Sequence, residues 1–178
     1  MTSHPHPGEP PGDGPGGPAR PPLLFLDVDG PLIPFGTREG ADPAHPTYPP
    51  VPPASVSPLL ARLDPAQGPR LAALPYELVW ATTWEADANA WVAPRLGLPE
   101  LPVLPWTDGP GAPGLHWKTP ALVAWAEGRP FAWVDDEIGP ADRAWVAAHH
   151  AGPALLHRVD ARRGLVAADF AALTAWVR

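Results

Sequence analysis

The stretch Leu23-Leu24-Phe25-Leu26-Asp27-Val28-Asp29-Gly30 decides how this chain folds. Four consecutive apolar residues, with Pro22 before them, predict a short strand buried on both faces. The strand runs into two carboxylates separated by one residue, then a glycine. In open α/β sheets ligands bind beyond the carboxyl ends of strands, so acids placed there are candidates for chemistry. Asx turns at Asp27 and Asp29, as the chain leaves the sheet, are the plainer alternative.

Outward from this strand the pattern repeats. Tyr76–Ala81 predicts a second strand ending in Thr82-Thr83-Trp84, and Leu101–Leu104 a brief third one between prolines. Phe131–Val134 predicts a fourth, running into Asp135-Asp136-Glu137, and Ala154–Val159 a fifth. Between them lie helical patterns. Leu59, Leu60 and Leu63 share one face of a helix starting near Pro53–Ser55 and ending before Pro65. Asp87–Leu96 is stopped by Gly97, with Pro94 expected to kink it or end it early. Thr119 is a natural N-cap before Pro120 for a helix running to about Glu127. A further helix runs from Pro140 through His149, and a last amphipathic one carries Phe170, Leu173, Trp176 and Val177. Strands alternating with helices predict an α/β fold with a central parallel five-stranded sheet covered on both sides.

Residues 1–22 are mostly Pro, Gly and polar and are expected to be a disordered tail, leaving 23–178 as one domain. His4 and His6 in that tail are too few to make a metal site. Residues 31–53 have no helical or alternating period and predict a flap over the end of the first strand. The 178 residues, 45% of them hydrophobic, suffice for one good core. There is no cysteine, so disulfides and thiolate metal sites are excluded. No apolar run spans a bilayer and no signal-peptide pattern opens the chain, so a cytoplasmic location and no membrane association are expected. The net charge of -7 does not favour a nucleic-acid partner.

Strand ends and one helix start thus carry Asp27 and Asp29, Thr82, Lys118, and Asp135 and Asp136. Each alone has a structural explanation, since threonine and aspartate commonly cap helices. Lys118 is more telling, because a cation at a helix N-terminus opposes the helix dipole unless an anion binds there. Together the residues describe a phosphate site assisted by Mg²⁺, a hard cation that selects oxygen ligands and would neutralise crowded carboxylates. A threonine hydroxyl and a lysine can hold the non-reacting phosphoryl oxygens, leaving one carboxylate to attack phosphorus.

The ordered set Asp27-Val28-Asp29-Gly30, strand-Thr82, Lys118, strand-Asp135-Asp136 resembles the haloacid dehalogenase-like (HAD) hydrolase superfamily, from about Leu23 to the C-terminus. The resemblance implies a Rossmann-like three-layer sandwich with a minimal cap. It also implies a Mg²⁺-dependent phosphatase that cleaves a phosphate monoester of a small molecule or nucleotide through an aspartyl-phosphate. Asp27 would be the nucleophile, and Asp29 the general acid and then the base. Thr82 (or Thr83, since both follow the strand) and Lys118 would bind the phosphoryl group. Asp27, Asp135, Asp136 and the backbone carbonyl of Asp29 would hold the metal. An acid at position 29 separates this pattern from dehalogenases, which lack it, and from ion-pumping ATPases, which carry Lys-Thr there.

Trp80-Ala81-Thr82-Thr83-Trp84, Ala88-Asn89, His116-Trp117-Lys118 and Trp133-Val134-Asp135-Asp136-Glu137 further resemble HAD domains of, or related to, bacterial RNA-repair proteins. That likeness implies processing of phosphorylated nucleic-acid ends as an alternative activity. Trp84, Trp106 and Trp117 are candidates to stack on a base or sugar, or to pack at the rim. A two-component receiver domain uses similar residues, but its lysine comes last, whereas Lys118 precedes Asp135. A binding module that kept the fold without turnover is the reading from a different class.

Overall fold

The computed structural model describes residues 20–36, 45–105 and 114–178. The expected tail (save its last three residues), the middle of the flap and Trp106 lie outside these. Four parallel strands form one sheet in the order β2-β1-β3-β4: β1 (Leu23–Leu26), β2 (Glu77–Trp80), β3 (Phe131–Asp135) and β4 (Ala154–Arg158). β1 is central, with Leu26 beside Trp80 on one side and beside Val134 on the other. All four residues of β1 and all five of β3 are buried, the apolar ones as their unbroken runs require, and Asp135 among them.

Side-chain alternation splits the core into two layers. Leu24, Leu26, Leu78, Trp80, Ala132 and Val134 face Leu71 of α1 (Gln67–Ala72), Leu96 of α2 (Ala93–Leu96) and Phe170 and Leu173 of α5 (Ala167–Trp176). Leu23, Phe25, Val79, Phe131 and Trp133 face Leu122 of α3 (Lys118–Ala126) and Val146 of α4 (Pro140–His149). The architecture is α/β with helices on both faces of a parallel sheet, compatible with a Rossmann-like sandwich.

The predicted third strand is reduced to a single bridge, Val103 with Trp80, so the described sheet has four strands rather than five. Trp80 N–H donates to Pro102 O at 2.8 Å and Leu104 N–H to Trp80 O at 2.8 Å. Pro102 and Pro105 have no N–H to extend the ladder. A side chain holds this segment instead. Asn89 accepts the Leu101 N–H at 3.0 Å and donates to the Leu101 carbonyl at 2.8 Å, while its Oδ1 also accepts the buried Trp80 indole N–H at 2.8 Å.

Other local departures have local causes. The helix expected before Pro65 is a 3₁₀ turn over Pro58–Arg62, and α1, interrupted in sequence by Gly68 and Pro69, was not expected at all. Ahead of Pro94 the chain makes a wide π turn at Ala88–Val92 and only then enters α2, so proline falls in a first turn where its missing N–H costs nothing. α3 starts at Lys118, so Thr119 is not its N-cap, and the helix ends at Ala126 with Glu127 left-handed (φ 49°). At the described base of the flap, Leu165 N–H donates to Pro31 O and Phe35 N–H to Ala161 O, both at 2.8 Å. None of the described helices is long and apolar enough to cross a membrane.

Candidate active site

Strand register alone brings the first two acids together. Leu26 pairs with Val134, so the next residues along, Asp27 and Asp135, are neighbours in adjacent strands. Asp27 N–H still donates to Val134 O at 3.1 Å. Both follow the odd-numbered alternation of Phe25 and Trp133, which places them on the face covered by α3. Two like charges side by side on adjacent parallel strands repel.

Lys118, the first residue of α3, meets both. Its Nζ lies 2.7 Å from Asp27 Oδ2 and 2.7 Å from Asp135 Oδ2. The lysine side chain is 2% exposed and that of Asp135 0%. Such a triad is held only with every lone pair accounted for. Asp27 Oδ1 accepts the Val28 N–H at 2.8 Å, Asp135 Oδ1 the Glu137 N–H at 2.9 Å, and Asp135 Oδ2 the Trp133 indole N–H at 3.2 Å.

One ammonium shared between two carboxylates explains shifts that look contradictory. Burial pushes the Asp27 carboxyl up to about 7, the Lys118 charge opposes this, and the Asp135 charge adds to it. Burial pulls Lys118 down, yet the charges of Asp27 and Asp135 outweigh it and hold the ammonium above its ordinary range. The lysine has two counter-charges, whereas each acid has half of one. Asp136 is also raised, by partial burial and then by the Asp135 charge.

Carboxylate oxygens of Asp27, Asp135 and Asp136 lie within 4.8 Å of one another. Gly30 makes that approach possible. It stands at φ +86°, and a Cβ there would run into the Asp136 carboxylate. Three converging oxygen donors, two with raised proton affinity, fit a hard divalent cation. The Asp29 carboxylate is not in this trio. Its Oδ2 accepts the Trp84 indole N–H at 3.0 Å. A second trio, His116, Asp135 and Glu137, shares Asp135 and includes an exposed acid.

The two threonines separate. Ala81 N–H donates to Leu26 O at 2.9 Å, and Thr82, one residue on, is 2% exposed, whereas Thr83 is exposed and lines a groove with Trp84 and Asp87. Of the tryptophans proposed to stack, Trp84 is committed through its N–H to Asp29, and Trp117 lies beside the site, its ring centroid 5.5 Å from Lys118 Nζ.

Asp142 was not foreseen. One of its oxygens accepts the His116 N–H at 2.8 Å and the Thr119 hydroxyl at 2.6 Å, the other the Gly139 N–H at 2.8 Å. It therefore ties the turn bearing Lys118 to the start of α4. The sequence signal, an acid three residues after Gly139 and just inside Pro140, reads only as a helix cap. Asp142→Ala is expected to cost about 3 kcal/mol in urea unfolding, because it strands buried donors. His157→Ala serves as the comparison, since it removes one half-buried pairing, with Asp169, away from the triad. Equal losses would show that Asp142 does no more than a peripheral contact.

No family model, no curated protein and no solved structure matches this chain.

Proposed function

We propose that the protein is a HAD-type phosphatase, hydrolysing a phosphate monoester through an aspartyl-phosphate on Asp27. The observation that carries this reading is the shared ammonium. Lys118 holds Asp27 and Asp135 at 2.7 Å each, at the carboxyl edge of the sheet, with Asp136 alongside. Pure stability argues against such a buried cluster, since apolar replacements of buried ion pairs are often more stable. Phosphoryl transfer supplies a use for it: a nucleophilic carboxylate, a cation for the phosphoryl oxygens and acids to hold a metal.

In this mechanism an Asp27 oxygen attacks phosphorus as the bond to the leaving oxygen breaks. Asp29 gives its proton to that oxygen, and its carboxylate then takes a proton from water. The resulting hydroxide attacks the phosphorus of the aspartyl-phosphate, releasing inorganic phosphate and regenerating Asp27. Lys118 stays paired with Asp135 while Asp27 is phosphorylated, so the ammonium turns from the Asp27 carboxylate to phosphoryl oxygens as charge moves there. Thr82 donates its hydroxyl to the same phosphoryl group. Asp27, Asp135, Asp136 and the Asp29 carbonyl would hold Mg²⁺, which when bound neutralises phosphoryl charge.

The test is release of phosphate from acetyl phosphate and p-nitrophenyl phosphate, with Mg²⁺ and with chelator. Turnover that needs Mg²⁺ is expected. Its absence on a broad panel of phosphate esters, with no Mg²⁺ binding by calorimetry, would leave a fold that binds without catalysing. Asp29→Asn is expected to slow turnover of alkyl phosphates by about 10²–10⁴-fold, the usual loss for a positioned proton donor. An unchanged rate with those poor leaving groups would remove Asp29 from the mechanism.

A further inference from the structure

The proposed phosphoryl centre fixes the phosphate and not the group that it is attached to. That group must lie next to Asp29, because Asp29 protonates the oxygen it departs with. Trp84 touches the Asp29 carboxylate, its indole N–H donating to Oδ2 at 3.0 Å. Trp84 also lines a groove of about 320 Å³ with Ser55, Val56, Ser57, Thr83, Asp87 and Trp91. One side chain thus borders both the acid and the groove. The trio that would hold a metal involves Asp136, on the other side of β1 in the sheet order.

The chemistry of the lining is selective. The only polar atom of the Trp84 side chain donates to Asp29, so the rest of its ring offers the groove an apolar surface. Trp91 adds a second indole. Ser55, Ser57 and Thr83 contribute hydroxyls, and Asp87, exposed, contributes a carboxylate. Among the described residues, no lysine, arginine or histidine lines the groove. A carboxylate and hydroxyls beside indole rings suit a partner with several hydroxyl donors and apolar C–H faces. A second phosphate or a carboxylate on that partner would meet Asp87 with no cation to balance it.

We propose that this groove receives the leaving group of the phosphate monoester, and that the leaving group is an uncharged, sugar-like polyol. Trp84 is then both its wall and the positioning residue of Asp29. The inference rests on the phosphatase reading, and the experiment separates the two.

Wild-type protein with Mg²⁺ is first tested on acetyl phosphate, which is too small to need the groove and whose leaving acetate needs no proton. No turnover there or on any of the esters below, with no Mg²⁺ binding by calorimetry, overturns the phosphatase reading, and this inference with it. With turnover present, kcat/KM is measured on pentose, hexose and alditol monophosphates, on the matching sugar bisphosphates and on n-hexyl phosphate. At least one sugar or alditol monophosphate is expected to exceed the bisphosphates and the alkyl ester by about tenfold or more, the discrimination that one unpaired charge or a set of lost hydrogen bonds provides. Bisphosphates or the alkyl ester serving as well as every sugar monophosphate would overturn the inference alone.

Asp87→Lys, an exposed change, is expected to shift the monophosphate-to-bisphosphate ratio by about tenfold toward the bisphosphate. A ratio that does not move overturns the placement of the leaving group. Trp84→Phe keeps a ring and removes the donor. It is expected to lower kcat/KM, which reports formation of the aspartyl-phosphate, more on sugar phosphates, whose alkoxide needs a proton, than on acetyl phosphate. Equal losses on both would show a merely structural tryptophan.

Discussion

Asp27→Asn is expected to abolish turnover while leaving a folded protein that is no less stable above neutral pH. The amide cannot attack phosphorus, and removing a nucleophile costs more than about 10⁴-fold in kcat. Stability runs the other way, and the sign follows from the raised carboxyl. Burial lifts Asp27 from 3.8 to about 7 in the folded chain. A group that binds its proton more tightly when folded contributes most below its unfolded value, and that contribution is lost as pH rises through 7. The neutral asparagine does not suffer this loss. The stability of Asp27→Asn relative to wild type should therefore improve from pH 5 to pH 8, as read by urea unfolding in chelator. Retained phosphatase activity would end the nucleophile assignment. A flat difference across that pH range would mean that Asp27 is not a strained buried acid.

Lys118→Met should be the most damaging single change to the fold among the site residues. Methionine keeps the unbranched apolar stem of lysine as far as Cε but removes the charge that Asp27 and Asp135 share at 2.7 Å each. Breaking a buried ion pair by deleting one partner costs about 3–5 kcal/mol, because the remaining charge is left uncompensated. Here two acids are left, one of them completely buried. Part of the loss should return in Lys118→Met combined with Asp27→Asn, which removes one orphaned charge. A double-mutant cycle in urea at pH 8 measures this coupling. A cost below about 1 kcal/mol, the scale of an exposed salt bridge, would show that the triad is not held as described. Turnover should vanish in the single variant too, since the phosphoryl group loses its cation.

Much of this arrangement was legible in the chain. The largely apolar stretches at 23–26, 76–81, 131–134 and 154–159 announced parallel strands, and the polar residues following the first three announced a working edge. The predicted third strand is reduced to one bridge because Leu101–Leu104 is apolar enough to be buried, yet its prolines leave little to pair with. Thr119 carries the right side chain for an N-cap but donates to Asp142 instead, because α4 comes within 2.6 Å of it. A cap is a local property only when no tertiary partner competes for the hydroxyl. Nothing in the surroundings of Asp29 along the chain revealed that an indole 55 positions away would take its carboxylate.

The sequence by itself determined which residue types stand at the strand ends and in what order, because hydrophobic periodicity and turn chemistry act over a few residues. Tertiary structure decided which of them meet. Placing β1 between β2 and β3 makes Asp27 a neighbour of Asp135, and packing α3 on that face delivers one lysine to both. Strand order and helix docking follow from the burial of whole faces, a sum over distant segments that no single window of the chain contains.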